Sequence, residues 1–218
     1  MCGGGGRCWW GDVDSYGGRG WGLGVYDYMV EGVPLDATRN GLVVPMLGLL
    51  VEEPVHAYDL AGRLAGRYPQ LAVTRSSVAT LLKSLADAGL VVGREPERVG
   101  RRPARTVYEL TGDGLGLFRE RVEEGLRDGV PASAGFLTAL AYLGVLSRAV
   151  AGEVLRGRVE RLEGGLRGLP EDLTGLPEIQ MIEVAYWRTV LGNEIAWLSA
   201  LVARVASGDL AWPRKKAQ

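Results

Sequence analysis

The residues that build most catalytic and metal sites are scarce in this sequence. It has one histidine, His56, and two cysteines, Cys2 and Cys8, both in a glycine-rich N-terminal stretch. These are too few for a disulfide framework or a recognisable zinc site, and the carboxylates are not clustered. The GGGG run at 3–6 follows no predicted strand and precedes no predicted helix, which excludes a phosphate-binding loop. We therefore expect no enzyme activity, no metal and no cofactor.

Long hydrophobic segments are also missing. Residues 129–147 carry no charge, but three glycines and several other residues dilute the segment: Pro131, Ser133, Thr138 and Ser147. This composition favours a buried interface helix over a membrane helix. The first residues, MCGGGGRCWWGDVD, lack the apolar core of a signal peptide. We therefore expect a cytoplasmic protein with no membrane partner.

The charge of the chain is close to zero overall but unevenly distributed. The formal net charge is −1 over 218 residues. Residues 63–105 nevertheless contain nine Lys or Arg and three acidic residues, whereas residues 109–209 contain ten and fifteen. Five arginines fall within residues 94–105 alone. A basic segment joined to an acidic one indicates a nucleic-acid partner for the basic segment.

The hydrophobic periodicity predicts a small domain over residues 41–112. Apolar residues at helical spacing predict a short helix from Val43, a second over 56–68 and a third over 75–88, with Thr74 as the N-cap and Gly89 as the C-cap. Two strands, 90–95 and 105–110, follow and enclose the arginine-rich segment. Three helices followed by a hairpin are typical of a winged helix-turn-helix domain.

The remaining segments are predicted from composition and helical spacing. We expect residues 1–40 to be a disordered glycine-rich extension, 113–130 a connecting helix and 213–218 a basic tail. Between them, 131–212 should form a domain with two long antiparallel helices, at 134–168 and about 178–206. The two helices cannot bury their apolar stripes alone and need either the winged domain or a second copy of the chain. The second copy is the favoured interpretation, so this domain is predicted to form a homodimer. The predicted fold class is therefore mainly α with a small β-hairpin.

The winged helix-turn-helix interpretation identifies candidate DNA-binding residues. On the third helix they are the residues facing away from the core: Arg75, Ser76, Ser77, Thr80 and Lys83. Thr74 and Ser77 have a purely structural alternative as helix caps. In the segment between the strands, which we call the wing, Gly100 permits a tight turn and the arginines would contact phosphates: Arg98, Arg101, Arg102 and Arg105. Arg94 is a weaker candidate.

Three segments in this order and spacing resemble the PadR family of bacterial transcriptional regulators. They are PMLGLLVEEPVHAYDLAGRL, SSVATLLKSLADAGLV and GRRPARTVYELTGDG. The resemblance implies a homodimer that binds double-stranded DNA at a palindromic operator, usually as a repressor and often released by a small molecule. The chain departs from the family pattern at Ala57-Tyr58, where Gly-Tyr is typical, and at Ser77-Val78-Ala79-Thr80, where Ser-Leu-Tyr-Pro is common.

Aromatic residues of the last predicted helix are candidates for an effector site. Tyr186, Trp187 and Trp197 could stack on a small planar aromatic ligand, with packing in the dimer as the alternative. For the whole protein we expect a DNA-binding transcriptional regulator, and the alternative is a winged-helix protein-interaction module that binds no DNA.

Overall fold

The computed structural model of the protein describes residues 40–69, 71–94, 106–170 and 177–213. Its elements, in chain order, are α1 (Val43–Glu52), β1 (Val55–His56), α2 (Ala57–Arg67), α3 (Arg75–Asp87), β2 (Val91–Gly93), β3 (Val107–Leu110), α4 (Gly112–Asp128), α5 (Ala134–Ala141), α6 (Arg148–Arg167) and α7 (Ile182–Ser207). Two 3₁₀ turns, Leu143–Val145 and Glu178–Gln180, precede α6 and α7 respectively. The predicted extension 1–40 lies outside the described residues except for Asn40, and the tail 213–218 except for Pro213.

The first three helices form where the apolar spacing predicts them. Each buries one stripe in a common core, including Met46 and Leu47 of α1, Leu60 and Leu64 of α2, and Leu82 of α3. Burial of such side chains is the main favourable term for helices this short, which are marginal in isolation. The three predicted helices are therefore confirmed to within one residue at most ends.

The three strands form one antiparallel sheet. Its strand order is β1-β3-β2, with Val55 opposite Tyr108 and Val91 opposite Leu110. The sequence predicts β2 and β3 but not β1, because a two-residue strand is too short to show alternation. The ring of His56 also reaches the residue before β3, since its Nδ1 lies 3.2 Å from the carbonyl oxygen of Thr106. The fold class, mainly α with a winged helix-turn-helix, is confirmed.

The prediction of one continuous helix over 134–168 is wrong. The chain leaves the helix after Ala141, makes the 3₁₀ turn and starts again at Arg148. Ser147 caps the new helix by accepting a hydrogen bond from the amide of Val150 at 3.3 Å. Both helices are apolar on one side, so the sequence pattern continues through the break and conceals it.

Tyr142, at the end of α5, explains why the chain turns there. Its hydroxyl accepts a 2.9 Å hydrogen bond from Tyr68, and its ring packs edge-on against Phe118 with centroids 5.2 Å apart. A Cβ placed on Gly48 would lie 2.2 Å from the Tyr142 ring, so the glycine makes room for it. Burial raises the pKa of the Tyr142 phenol well above its ordinary value, and the hydrogen bond with Tyr68 adds to the shift. This side chain joins α5 to the core of the winged-helix domain.

The last two helices, α6 and α7, pack antiparallel, as predicted. Arg158 of α6 is 1% exposed, and its guanidinium donates through Nε to Glu194 of α7 at 2.8 Å. The Nη1 atom of Arg158 also donates to the carbonyl oxygens of Leu126 and Gly129 at the end of α4, at 3.2 and 2.8 Å. One buried side chain therefore holds α4, α6 and α7 together.

None of the helices in the described part of the chain is long and apolar enough to cross a membrane. The same residues contain no group of three or more His, Cys, Asp or Glu side chains that could hold a metal ion.

Candidate nucleic-acid interface

The start of α3 is fixed by a reciprocal capping interaction. The hydroxyl of Thr74 accepts from the amide of Ser77 at 3.1 Å, and the hydroxyl of Ser77 accepts from the amide of Thr74 at 3.1 Å. Such a capping box satisfies two amides that the helix leaves free, and the N-cap alone is worth about 1 kcal/mol. The hydroxyl of Ser77 is occupied by this cap, so the capping role that the sequence left open is present in the structure.

Backbone hydrogen bonds also fix the C-terminal end of α3. Gly89 has φ +73°, its amide donates to Ala86, and the amide of Leu90 donates to Leu85. This is the Schellman pattern, which favours glycine because of the left-handed backbone. The hydroxyl of Thr111, the N-cap of α4, then donates to the carbonyl oxygen of Gly89 at 2.8 Å. Hydrogen bonds therefore hold both ends of α3, and its exposed face has a fixed orientation.

That exposed face carries four of the five residues predicted on α3. Arg75, Ser76, Thr80 and Lys83 are exposed, whereas Ser77 is half-buried. The hydroxyl of Ser76 contacts that of Thr74 at 3.0 Å. Ser76, Thr80 and Lys83 lie along one side of α3 and Arg75 is exposed at its first position, while four apolar residues enter the core: Val78, Leu81, Leu82 and Leu85.

The two basic residues of this face have different partners. Lys83 forms an ion pair with Asp87 at 3.0 Å, and both side chains are largely exposed. Exposed pairs of this kind contribute about 0–1 kcal/mol, so Lys83 can exchange its partner for a phosphate at small cost. Arg75 instead reaches back to α2, where its Nη2 donates to the hydroxyl of Tyr58 at 3.1 Å and its Cζ lies 4.4 Å from the ring centroid. Tyr58 was not predicted as part of this surface, because its partner lies 17 positions away on another helix.

The base of the wing is described, and its tip is not. Arg94, next to β2, forms an ion pair with Glu109 of β3, with Nε 2.9 Å from the carboxylate oxygen. This contact ties the two strands together and agrees with the weaker rank given to Arg94 as a DNA contact. The other wing residues predicted to contact DNA lie outside the described residues: Arg98, Gly100, Arg101, Arg102 and Arg105.

Comparison with known protein families matches residues 46–120 to the "Transcriptional regulator PadR-like family". The matched region begins in α1 and ends in α4, so it contains the helix-turn-helix, the sheet and the wing. Residues 46–120 therefore form a PadR-like domain, as the resemblance of the three segments predicts. The family is one of transcriptional regulators and not of enzymes, in agreement with the predicted class of function.

Solved structures similar to this chain include other PadR-like proteins. Bacillus subtilis PadR in complex with operator DNA is 19% identical, with 75% of this chain and 98% of that chain covered and a TM-score of 0.38. A PadR-like transcriptional regulator from Bacillus cereus is 15% identical, with 81% and 99% covered and a TM-score of 0.34. A search of the curated proteins finds no match.

The three candidate effector residues of the PadR-like chain lie on α7 but do not form one cluster. Tyr186 and Trp197 are 69% and 53% exposed, whereas Trp187 is half-buried. On an ideal helix Tyr186 and Trp197 are about 20° apart in direction and about 16 Å apart along the axis, and Trp187 points about 100° away from Tyr186. An open groove of about 210 Å³ between α6 and α7 is lined by other residues: Arg156, Val159, Glu160, Glu163, Ser199 and Val202. Along α7, these three rings therefore do not converge on one point.

Proposed function

We propose that this PadR-like chain is a homodimeric repressor that binds a palindromic operator and is released by a small planar aromatic compound. The observation that carries the proposal is the exposed face of α3. Its apolar side is buried, both of its ends are fixed, and its free side carries a guanidinium, two hydroxyls and an ammonium group. This is the set of donors that reads base edges and binds phosphates in the major groove.

In this proposal some of the exposed residues contact bases and others contact phosphates. Arg75, at the first position of α3, is placed to donate to the O6 and N7 atoms of a guanine, with Ser76 and Thr80 beside it. Lys83, two turns further along, contacts a phosphate. The wing arginines, Arg98, Arg101, Arg102 and Arg105, add phosphate contacts that release counterions and make binding salt-dependent.

The proposed dimer uses a second apolar face of α7. The helix buries four residues inside the chain: Leu191, Leu198, Leu201 and Val205. On a different side, centred about 110° away on an ideal helix, Ile182 is 59% exposed, and Tyr186 and Trp197 are exposed within about 60° of it. A helix that is apolar on two sides needs a partner on each, and a twofold-related α7 supplies the second. A dimer also presents two α3 helices, which matches a palindromic site.

The same face supports the proposed effector response. Two exposed rings on one side of α7, paired with the same rings of a second copy, would enclose a flat aromatic compound between large apolar surfaces. A ligand that binds one arrangement of the two copies more tightly shifts the population toward it and changes the spacing of the two α3 helices. Since a dimer on an operator covers the adjacent promoter DNA, we expect repression in the absence of the ligand.

A combined binding and sedimentation experiment tests the proposal. The full-length protein is used to select duplexes from a randomised library, and the affinity of the selected duplex is measured between 50 and 200 mM salt. We expect the affinity to fall steeply as the salt concentration rises. The slope of log affinity against log salt concentration should become shallower by roughly one unit for each phosphate contact that is lost. It should therefore change by about one in Lys83→Ala and by about two in an Arg101→Ala, Arg102→Ala double variant. Sedimentation should give a dimer for the wild type and a monomer for Ile182→Glu.

The alternative function gives a different outcome in the same experiment. A winged-helix module that binds only proteins would select no duplex and show no salt-dependent DNA affinity. A dimer that persists in Ile182→Glu and in Tyr186→Glu would contradict the proposed interface. Glu183→Ala serves as the matched control, because Glu183 is exposed on the same turn of α7 but carries no apolar surface.

A further inference from the structure

The pairing of the basic residues in the winged-helix domain shows one exception. Among the described residues between 40 and 94, Arg63 pairs with Glu53, Arg67 with Glu52, Lys83 with Asp87 and Arg94 with Glu109. Arg75 has an uncharged partner, the ring and hydroxyl of Tyr58. The exception is also the basic residue at the first position of α3.

The contact with Tyr58 leaves the hydrogen-bonding capacity of Arg75 largely available. A guanidinium has five N–H donors, and one bond to the Tyr58 hydroxyl leaves the others free in the plane of the group. The guanidinium carbon lies 4.4 Å from the ring centroid, a cation–π contact that needs no further hydrogen bond. Because the partner is neutral, DNA binding by Arg75 breaks no ion pair, whereas binding by Arg63 or Arg67 would break one.

The contact also limits the freedom of a long side chain before DNA arrives. A solvent-exposed arginine samples many rotamers, and their loss opposes binding. Tyr58 is 56% exposed, so its ring contributes little to the core, and it lies at the second position of α2, facing the start of α3. A ring in this position fixes the guanidinium at the end of α3 that enters a major groove first.

We propose that Tyr58 is a positioning residue for Arg75, and that the pair determines specificity for a guanine in each half of the operator. This inference rests on the proposed function of the α3 face. Tyr58 acts through Arg75 and not by its own contact with DNA. Its loss should therefore reduce discrimination at one base pair per half-site and leave the phosphate contacts unchanged.

The test compares single and double variants on defined duplexes. The probes are the duplex that the wild-type protein selects from a randomised library and a set in which each guanine is changed to adenine. Arg75→Ala should lose about 5- to 100-fold of discrimination at one guanine per half-site. Tyr58→Ala should lose about 2- to 10-fold at that same guanine, with an unchanged salt slope, and Tyr58→Phe less. In the Arg75→Ala background, Tyr58→Ala should have no further effect.

Two controls separate this inference from stability and from the proposed function. Arg204→Ala removes an exposed arginine from α7 and should leave discrimination unchanged, and thermal unfolding should show Tyr58→Ala folded. In the DNA-free protein, ¹⁵N relaxation of the Arg75 Nε should show a more mobile side chain in Tyr58→Ala.

Additive losses of discrimination in the double variant would overturn the inference, and so would a Tyr58→Ala effect spread over all base pairs. Neither result would contradict the proposed DNA binding by the α3 face. Selection of no duplex by the wild type would overturn the proposed function and this inference with it.

Discussion

Replacing Arg158 with methionine tests whether the buried contact between α4, α6 and α7 holds the C-terminal helices in place. Methionine keeps much of the length of the side chain and removes its charge and all five donors. The carboxylate of Glu194 then loses its charged partner in a site where that side chain is 10% exposed, and keeps a hydrogen bond from the amide of Ala132 at 3.1 Å. The carbonyl oxygens of Leu126 and Gly129 lose a donor as well.

The expected loss of stability comes from the charge of Glu194, which stays in a buried site without Arg158. Removing one partner of a buried ion pair costs about 3–5 kcal/mol, because the other charge stays in a poorly solvated site. For Arg158→Met we expect about 4 kcal/mol, a large part of the stability of a typical domain. In the Arg158→Met, Glu194→Met double variant the stranded charge is gone. The carbonyl oxygens still lack a donor at roughly 1 kcal/mol each, and the amide of Ala132 loses its acceptor but is exposed and can bind water, so we expect the double variant to be the more stable of the two.

The measurement is urea unfolding of the full chain, followed by circular dichroism at two protein concentrations, because association adds to apparent stability. Arg161→Met is the matched control. Arg161 lies on the next turn of α6 and also reaches α4, where it pairs with Asp128 at 3.3 Å, but both side chains are exposed. We expect at most about 1 kcal/mol for this control. Equal losses for Arg158→Met and Arg161→Met would refute the reasoning.

Two further predictions concern the contacts that orient α4 and α5. Gly114→Ala should destabilise the protein by roughly 1–3 kcal/mol, because its Cβ would lie 1.9 Å from the carbonyl oxygen of Leu90. Gly116→Ala on the same helix meets open space and should stabilise by up to about 1 kcal/mol, so thermal unfolding that ranks the two equally would contradict this. Since the pKa of Tyr142 is raised in the folded chain, its contribution is complete below about pH 10 and is lost as the pH rises, when the unfolded chain releases the proton first. Tyr142→Phe should therefore show a shallower fall in unfolding free energy between pH 9.5 and 11, by up to about 1.4 kcal/mol per pH unit, and an unchanged slope would contradict the assignment.

Features of the fold that depend on neighbouring residues could be predicted from the sequence. The cap at Thr74, the left-handed Gly89 and the apolar stripes of α1 to α3 each lie within a few residues of the element they define. The resemblance of three segments to the PadR family gave the correct domain because those segments include the same local features.

Features that depend on distant residues could not be predicted. The turn after Ala141 forms because Tyr142 contacts Tyr68, which is 74 positions earlier in the chain. Arg158 is buried because it pairs with Glu194, which is 36 positions later. Tyr58 and Arg75 are 17 positions apart on different helices. None of these pairs produces a periodic pattern, so only the folded chain shows which polar residues meet.

The arrangement of α4 bears on how the C-terminal helices can influence DNA binding. At its first turn α4 contacts the end of α3, through the hydroxyl of Thr111 on Gly89 and the close approach of Gly114 to Leu90. At its last turn its carbonyl oxygens accept from Arg158, which also binds α7. A helix of 17 residues is about 25 Å long and is stiff on this scale. A shift of α7 at the proposed dimer interface would therefore move α4 as a unit, and with it the end of α3. The contacts at the two ends of α4 would then determine the spacing of the two α3 helices in the dimer, without a series of flexible side chains between them.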